Sequence, residues 1–366
     1  MPELIIIAAV FALVWLQAWL YGRFCFKNLD MKLSLSAQVA TEGDRITIAE
    51  ALENAKMLPL PWIDVKFQIS GNLVFEGEHH TGADSSRSEL FSIGPYKRIT
   101  RTHRILCARR GYYNIKSMSV TGQDLLMSRK YIKQYSCGES LIVYPAAAHC
   151  DPFTPAYRRI TGAVRALRFI NPDPFEFRGI REYRPEDPLK NINHRATAKT
   201  GGLMVNVFEP TTAQHVTLWL NTEQYGAYSI PMVYERSISL VAALAEQLTG
   251  EGLTVELRTG AKNILAPGRL ISVPGGAGRE HLLRILEALA LVDLTQPPEP
   301  IAELMRPERV ADSVHILISA CDDEDVENAA AELISSGQDV VWILPRYGET
   351  RMRVEENESR FYWAVI

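Results

Sequence analysis

The feature that most constrains this chain is a nearly uninterrupted apolar run close to its N-terminus. Residues 4–22 read LIIIAAVFALVWLQAWLYG, and Gln17 is the one clearly polar side chain among them. A helix needs about 20 such residues to cross the hydrocarbon core of a bilayer. Trp15, Trp19 and Tyr21 lie toward one end of the run, where a membrane interface is typically lined with aromatic side chains. The run therefore predicts a transmembrane helix.

A secretory signal peptide is the competing interpretation. Such a peptide has a basic start and a small-residue cleavage site, whereas this chain begins Met-Pro-Glu and no Ala-x-Ala directly follows the apolar run. Three basic residues come after the span, namely Arg23, Lys27 and Lys32. Because basic flanks stay on the cytoplasmic side, we expect an uncleaved single-pass anchor in the cell membrane, with the bulk of the chain in the cytoplasm.

The remaining chain has an ordinary globular composition, with 47% hydrophobic and 22% charged residues over a length of 366. A net charge of −4 argues against a nucleic-acid binder. The cysteines are scattered and lack a C-x-x-C spacing, which favours reduced thiols over a disulfide or metal framework. They are Cys25, Cys107, Cys137, Cys150 and Cys321.

Residues 31–146 alternate apolar and polar side chains in short runs such as KLSLSAQV, RITIAEAL and WIDVKFQIS. This period of two, interrupted by turn signals and by an expected polar loop at residues 84–87, predicts an all-β sandwich of the immunoglobulin-like kind. Its basic positions are expected to point outward into solvent or toward anionic lipid. They are Lys97, Arg98, Arg101, Arg104, Arg109 and Arg110.

A different pattern begins after residue 214, where apolar strands such as HVTLWLN alternate with amphipathic helices. This alternation predicts a doubly wound α/β domain with a parallel sheet, closed by a hairpin at residues 351–366. The predicted organisation is therefore an anchor and juxtamembrane segment at residues 1–30, a β domain at 31–146, a connector at 147–213 with a short helix at 158–170, and an α/β domain at 214–366.

Ligands of doubly wound sheets gather beyond the carboxyl ends of the strands. Three such ends are expected, at residues 220–225, 273–278 and 320–323. The glycine-rich segment 273–278 lacks the P-loop residues and is interpreted as a turn. Asp322 and Asp323 precede a helix and are interpreted as its cap rather than as cation ligands. We identify no catalytic residue, metal or cofactor, and we expect a protein that is not an enzyme.

The densest cluster of charge lies in FEFRGIREYRPEDPLKNINHRATAKTGGLMV, residues 175–205. This stretch resembles the signature of the bacterial domain-of-unknown-function 58 family, written Glu-Phe, Arg-Glu-Tyr-x-x-Gly-Asp, Arg-x-Ile-x-Trp, Ala-Arg and Leu-x-Val. The matching residues are Glu176, Phe177, Arg181, Glu182, Tyr183, Asp187, Ile192, Ala198, Leu203 and Val205. Flanking matches are Arg110-Gly111-Tyr112, Asp124-Leu125 and Val143-Tyr144-Pro145. The departures are Glu186, His194 and Lys199, and one membrane helix where the family commonly has two.

The resemblance implies that the last domain is similar to a von Willebrand factor type A domain. The metal motif of that domain, Asp-x-Ser-x-Ser, reads Asn221-Thr222-Glu223-Gln224-Tyr225 here, which leaves Asp322 as its sole plausible remnant. One carboxylate among neutral groups holds a divalent cation poorly. Metal-dependent adhesion is therefore not expected.

The resemblance also implies an accessory role beside MoxR-type AAA+ ATPases in the maturation of other protein complexes. We therefore expect a non-enzymatic, membrane-anchored scaffold or adaptor, and the oligomeric state stays open. The signature is either an interdomain clamp or a partner-docking surface, and its residues are Arg178, Arg181, Glu182, Tyr183, Asp187, Lys190, Asn193, His194 and Lys199. The alternative is a divalent-metal-dependent ligand-binding type A domain, and a hydrolase is the weakest hypothesis because no nucleophile–base pair can be named.

Overall fold

The computed structural model describes residues 2–76, 85–148, 172–185, 187, 189–210, 215–223, 231–305, 313–336, 338–347 and 360–365. The chain forms two compact units, Met1–Ala146 and Ala147–Ile366. The predicted connector helix at residues 158–170 lies outside the described residues.

The first unit begins with the helix α1, Pro2–Phe24, which contains the whole predicted span. Among the described parts of the chain it is the one helix whose length and apolar composition suit a membrane crossing. Most side chains of residues 4–16 are exposed on the protein, whereas Ala18 and Tyr21 are buried. Among the described residues, a protein core therefore surrounds the C-terminal part of α1 but not its N-terminal part.

Two sheets follow α1. The first has the order β1-β3-β7-β5 and the second the order β2-β9-β8-β4-β6. The strands are β1 (Leu29–Leu35), β2 (Val39–Thr41), β3 (Arg45–Asn54), β4 (Leu60–Ile69), β5 (Leu73–Phe75), β6 (Ser85–Ile93), β7 (Lys97–Cys107), β8 (Gly111–Gln123) and β9 (Lys130–Tyr144). All pairings are antiparallel except β2 with β9.

Both sheets contribute to one core, with Ile48 and Ile105 from the first and Phe67 and Val120 from the second. Alternate residues of β3 and β4 enter it, as the period of two predicts. The predicted β domain is confirmed at this level, and its immunoglobulin-like subclass stays a prediction.

Two details of the β domain were predicted wrongly. Ser85, Ser86 and Arg87 are not a loop, because they pair with residues 67–69 of β4 and begin the edge strand β6. An edge strand tolerates polar residues, which is why its start reads as a loop. Of the basic residues expected to point outward, Arg110 is buried and Arg101 packs over the ring of Phe91.

The second unit opens with the antiparallel hairpin β10 (Pro172–Glu182) and β11 (Met204–Pro210). Between its strands lie a 3₁₀ turn, Leu189–Asn191, and the short helix α2, His194–Thr200. These elements carry the charged stretch that resembles the family signature.

A seven-stranded sheet follows, in the order β14-β13-β12-β16-β17-β18, with β15 pairing β13. Its strands are β12 (His215–Leu220), β13 (Thr254–Asn263), β14 (Leu270–Gly276), β15 (Val292–Asp293), β16 (Ser313–Ile318), β17 (Asp339–Tyr347) and β18 (Arg360–Val365). The helices are α3 (Pro231–Gly250), α4 (Arg279–Ala290), α5 (Ile301–Leu304) and α6 (Glu324–Ser335). Strands β12, β13, β16, β17 and β18 are parallel.

A core lies between this sheet and the helices α5 and α6. It contains Trp219, Leu317 and Trp342 from the strands together with Ile301 and Leu333 from the helices. The near-continuous burial of β12 and β16 is typical of central parallel strands. The specific likeness to a type A domain stays a prediction.

Two predictions about this sheet were wrong. Strand β14 is antiparallel to β13, so residues 273–278 do not lie at the edge where β12 and β16 end. The expected C-terminal hairpin is also wrong for its described part, because Arg360–Val365 pairs parallel with β17.

Candidate functional site

The carboxyl ends of β12 and β16 are the first place to look for a ligand, because the strand order reverses between them. Asn221 and Ser319 follow these two strands, and both are buried. The Asn221 amide donates to the Ser319 hydroxyl oxygen at 3.1 Å. The Cys321 N–H donates to the same oxygen at 3.1 Å, and the hydroxyl donates to the Cys321 carbonyl at 2.6 Å. The Ser319 hydroxyl is thus fully used by the protein itself.

The rest of this cluster is equally self-contained. The Asn221 side-chain oxygen accepts the Glu223 N–H at 2.9 Å, and the Tyr234 hydroxyl donates to the Glu223 carbonyl at 3.0 Å. Burial raises the pKa of the Cys321 thiol to about 11. The thiol is therefore protonated at neutral pH and is a poor nucleophile.

The donor set does not fit the divalent cation of a type A domain. Asn221 is neutral where that motif has a carboxylate, and Asp323 accepts the Glu324 N–H at 2.7 Å as the N-cap of α6. This confirms the predicted capping role for Asp323. Over the described ranges, no three His, Cys, Asp or Glu side chains are grouped so as to hold a metal ion. We derive no metal chemistry at this end of the sheet.

The glycine-rich segment has a packing explanation. Gly275 and Gly276 end β14, so this part of the predicted turn is strand. A Cβ on Gly275 would lie 2.4 Å from His215 Nε2, and one on Gly276 would lie 2.5 Å from His281 Nδ1. A shallow cavity of about 210 Å³ lies beside these residues. The glycines therefore let two histidines approach the strand, and this packing accounts for them without a ligand.

The signature segment, residues 178–205, is organised by a charged pair. Arg181 donates to both oxygens of Asp187, at 2.6 and 2.7 Å, which is a bidentate pair. Asp187 also accepts the Arg184 N–H at 2.8 Å. The Arg181 hydrogen bond and that N–H lower the pKa of Asp187. The pair fixes the turn after β10, and its partners belong to one local stretch.

Asn193 fixes the second half of this segment. Its side-chain oxygen accepts the Ala196 N–H at 2.9 Å and caps α2, while its amide donates to Asn206 at 2.7 Å. Gly201 ends α2 at φ 78°, a left-handed conformation that favours glycine. The predicted site residue Asn193 therefore has a structural role, joining α2 to β11.

Several described charged side chains of the segment are exposed. Glu182, Lys190, His194 and Lys199 are exposed, Tyr183 is half-buried, and Arg178 lies on β10. The prediction omitted two further exposed residues, Arg184 and Arg195. Arg195 stands four positions before Lys199 on α2, so both lie on one helix face. That spacing is visible in the sequence and was the missed signal.

Exposed apolar side chains accompany these charges. Leu189 is 71% exposed and Leu203 is 51% exposed. Residues 178–199 contain six basic and three acidic side chains, an excess of three positive charges in a chain whose net charge is −4. A basic surface with apolar positions is suited to an acidic protein partner.

A second polar cluster, which was not predicted, lies inside the β domain. Glu50 is fully buried, and its Oε1 lies 3.5 Å from His103 Nε2. Burial, reinforced by nearby Glu89, raises the pKa of Glu50 to about 7, against the opposing effect of Arg87 and Arg101. Glu50 occupies the apolar phase of RITIAEAL, and that position is the signal that would have identified it.

The chain is distantly similar to a bacterial protein, and a solved domain structure also matches part of it. The chain is 19% identical over 294 residues to the "Uncharacterized protein YeaD" of Bacillus subtilis (strain 168), covering 80% of this chain and 69% of that protein. A crystal structure of the CARDB domain of the PF1109 protein of Pyrococcus furiosus, in complex with di-metal ions, is 14% identical. It covers 32% of this chain and 96% of its own, with a TM-score of 0.21 that is too low for an argument about fold.

A family match accounts for much of the second unit. The family described as "Protein of unknown function DUF58" matches residues 179–353, which include most of the signature segment and nearly all of the seven-stranded sheet. The predicted resemblance to that family is therefore confirmed over this part of the chain.

Proposed function

We propose that this protein is a non-enzymatic scaffold, anchored in the membrane by α1 with its two units in the cytoplasm. In this proposal it acts with a MoxR-type AAA+ ATPase in the assembly or maturation of other protein complexes. The partner class comes from the family resemblance at residues 175–205, and the anchor comes from the length and composition of α1.

The observation that carries the proposal is the form of the signature segment. The Arg181–Asp187 pair and the Asn193 cap hold its backbone, and neither uses the outward-facing basic side chains. A surface whose backbone is already ordered loses little entropy on binding a partner. Arg195, Lys199 and Leu189 are thus displayed on a prepared scaffold.

The sheet end supports the same proposal because its described polar groups are not arranged to bind a cation. We propose that the second unit is a type A-like domain in which the cation site has been replaced by hydrogen bonds. Its strand order has the reversal typical of doubly wound sheets. At the reversal, Asn221 and Ser319 bond to each other rather than presenting charged oxygen ligands.

The test is direct binding between the purified full-length chain in detergent and the MoxR-type ATPase encoded in the same genome. The informative variant is the double substitution Arg195→Glu and Lys199→Glu, which reverses two exposed charges on one face of α2. The matched control is Lys97→Glu with Arg98→Glu, which makes the same change in charge at two exposed positions of β7.

We expect the α2 variant to bind the ATPase about tenfold more weakly or worse, because charge reversal at an interface introduces repulsion. The control variant should bind as the parent does, and both should melt within about 2 °C of it. Equal binding by parent, α2 variant and control would contradict the docking role. No binding by the parent would contradict the proposed partner class.

A further inference from the structure

The end of the β domain next to α1 carries an exposed apolar loop. Leu125, Leu126 and Met127 join β8 to β9 and are 53%, 59% and 53% exposed. Ile132, near the start of β9, is 67% exposed. We refer to residues 125–127 as the apolar loop. Three consecutive exposed apolar side chains are uncommon on a soluble surface and mark a contact with another phase or molecule.

The apolar loop is held in this exposed form by Asp124. This side chain is fully buried and accepts the Ser128 N–H at 2.6 Å, the Arg129 N–H at 3.3 Å and the Ser128 hydroxyl. Burial alone would raise the pKa of Asp124, but these hydrogen bonds, with one from Gln17, outweigh burial and lower the pKa. The carboxylate therefore closes the loop and leaves its apolar side chains on the outside.

The same carboxylate fixes the position of the loop along the axis of α1. Asp124 accepts the Gln17 amide at 2.9 Å, and the Tyr131 hydroxyl donates to the Ala18 carbonyl at 2.8 Å. Two residues earlier, Gly122 lies against Cys25. From Gly122 to Asp124 the chain therefore moves along α1 from Cys25 toward Gln17. The apolar loop, which comes next, lies level with Gln17 or closer to the N-terminus of α1.

The length of free helix then limits where the bilayer can lie. Residues 4–16 precede Gln17, where the described hydrogen bonds from α1 to the β domain begin, and they span about 20 Å at 1.5 Å per residue. The hydrocarbon core of a bilayer is about 30 Å thick. If α1 crosses the membrane, the free part of the helix is too short to do so with the β domain held entirely in water.

Resting on the proposed membrane anchor, we infer that the apolar loop inserts into the bilayer interface beside α1, and that the lipid is its partner. The charges around it agree with this assignment. Arg129, Lys130 and Lys133 are exposed beside the loop, and Arg23 and Lys27 are exposed where α1 ends. Basic side chains at this depth contact anionic lipid headgroups, while Leu and Met side chains enter the acyl boundary.

The polar contact between α1 and the apolar loop is compatible with this insertion. The Asp124 carboxylate would be costly near hydrocarbon if it were unpaired. Asp124 is instead enclosed by the Gln17 amide and by the Ser128 and Arg129 donors. The β domain is thereby joined to the anchor as one body and does not hang from it on a flexible tether.

The experiment places an environment-sensitive fluorophore on the loop of the full-length chain in vesicles of phosphatidylethanolamine and phosphatidylglycerol. Leu126→Cys carries the label, with Cys137 and Cys150 replaced by alanine so that the remaining cysteines are the buried Cys25, Cys107 and Cys321. The matched control is Val39→Cys, an exposed apolar position on β2, which pairs with the far end of β9.

We expect the label at position 126 to emit at shorter wavelength than that at position 39, to be quenched by lipids with a nitroxide near the headgroup, and to be several-fold less quenched by aqueous iodide. Equal iodide quenching at both positions would overturn the inference. Protection from iodide without quenching by the nitroxide lipid would also overturn it, since a protein neighbour would then cover the loop.

Alkaline carbonate extraction of the same vesicles separates this inference from the proposed function. A chain that resists extraction but has a water-exposed label at position 126 contradicts the inserted loop and leaves the anchor standing. A chain released by carbonate contradicts the anchor itself, and the inserted loop with it.

Discussion

Polar side chains are buried and hydrogen-bonded to each other at the carboxyl end of the parallel sheet, whereas many in the signature segment are exposed to solvent. At the sheet end, Asn221 and Ser319 are buried, neutral and bonded to each other. In the signature segment one charged pair, Arg181 with Asp187, orders the backbone, whereas other described charges, such as those of Lys190, Arg195 and Lys199, are exposed. The first arrangement stabilises the fold, and the second leaves groups free to meet a partner.

The strand topology and the side chains therefore point to different places for a binding site. The reversal of strand order makes the sheet end the usual position of a ligand. The described polar groups there, Asn221 and Ser319, are nevertheless hydrogen-bonded within the protein, so a ligand that used them would first have to break those bonds. The outward-facing charges of the signature segment carry no such cost. This difference is why the proposed binding surface is the signature segment and not the sheet end.

Asn221→Asp gives the largest expected effect and is the strongest attempt to break the comparison. It restores a carboxylate at the motif position but removes the amide that donates to Ser319 and buries a charge. We expect a loss of about 3 kcal/mol in the free energy of unfolding, measured by chemical denaturation. Mg²⁺ should not restore it.

Asn263→Asp is the matched control, because the Asn263 side-chain oxygen accepts the Leu265 N–H, a role that a carboxylate keeps. The control should unfold within about 0.5 kcal/mol of the parent. If Mg²⁺ stabilised the Asn221→Asp variant selectively, the sheet end would be a repairable cation site and the comparison would fail.

Glu50→Gln extends the comparison to a third buried polar side chain, whose pKa is raised by burial. The folded-state pKa of Glu50, about 7, lies above the ordinary value of 4.5. The stability that Glu50 contributes is thus complete below about pH 4.5 and is lost as the pH rises through 7.

We expect Glu50→Gln to match the parent near pH 4.5 and to exceed it by about 2 kcal/mol at pH 8. Hydrogen exchange of the β3 amides as a function of pH measures this difference. His103 titrates in both proteins, so its own lowered pKa largely cancels in the comparison. A difference that did not depend on pH would show that Glu50 keeps its charge in the fold.

Ser319→Ala tests the sheet end without adding a charge. The substitution leaves the Asn221 amide and the Cys321 N–H without their acceptor in a buried place. We expect a loss of about 2 kcal/mol in stability and no change in ATPase binding. Ser335→Ala, at an exposed position on α6, is the control and should be nearly neutral. Weaker ATPase binding by Ser319→Ala at a temperature where it is folded would argue against a purely structural role.

Arg181→Glu has the smallest expected effect on overall stability, because the pair is partly solvent-exposed. The substitution places like charges together and releases the turn at Asp187. Hydrogen exchange at the Arg184 amide, which donates to Asp187, should become several-fold faster. Lys190→Glu, at an exposed position in the same segment, should leave that rate unchanged. An unchanged exchange rate in Arg181→Glu would show that the Arg181–Asp187 pair does not order the turn.

The pH dependence of this pair follows from the lowered pKa of Asp187. Its stabilising contribution is present above the ordinary carboxyl pKa and is lost as the pH falls below it. This direction is the opposite of that for Glu50, so the two sites can be told apart by acidification alone.

Local patterns in the sequence predicted much of this architecture. The apolar run gave α1, the period of two gave most strands of the β domain, and the charge before DVENAAAEL gave the cap at Asp323. Each depends on neighbouring residues, for which side-chain period and capping rules suffice.

The direction of β14 was also a local signal, because only six residues separate the end of β13 from the start of β14 and a parallel pair needs a longer crossover. Other contacts that were missed join distant parts of the chain. Asp124 and Gln17 meet across 107 positions. The pairing of Arg181 with Asp187 is local, but the bonds that close the sheet end join residues 98 positions apart. The sequence therefore predicted which residues form the candidate site, but not which of them contact each other.

The most direct test of the central claim is a hydrogen-exchange footprint of the MoxR-type ATPase on the full-length chain in detergent. We predict slower exchange at residues 189–203 in the complex, with residues 219–223 and 318–323 unchanged. Protection at the sheet end without protection at residues 189–203 would contradict the claim that this chain binds through its exposed signature segment.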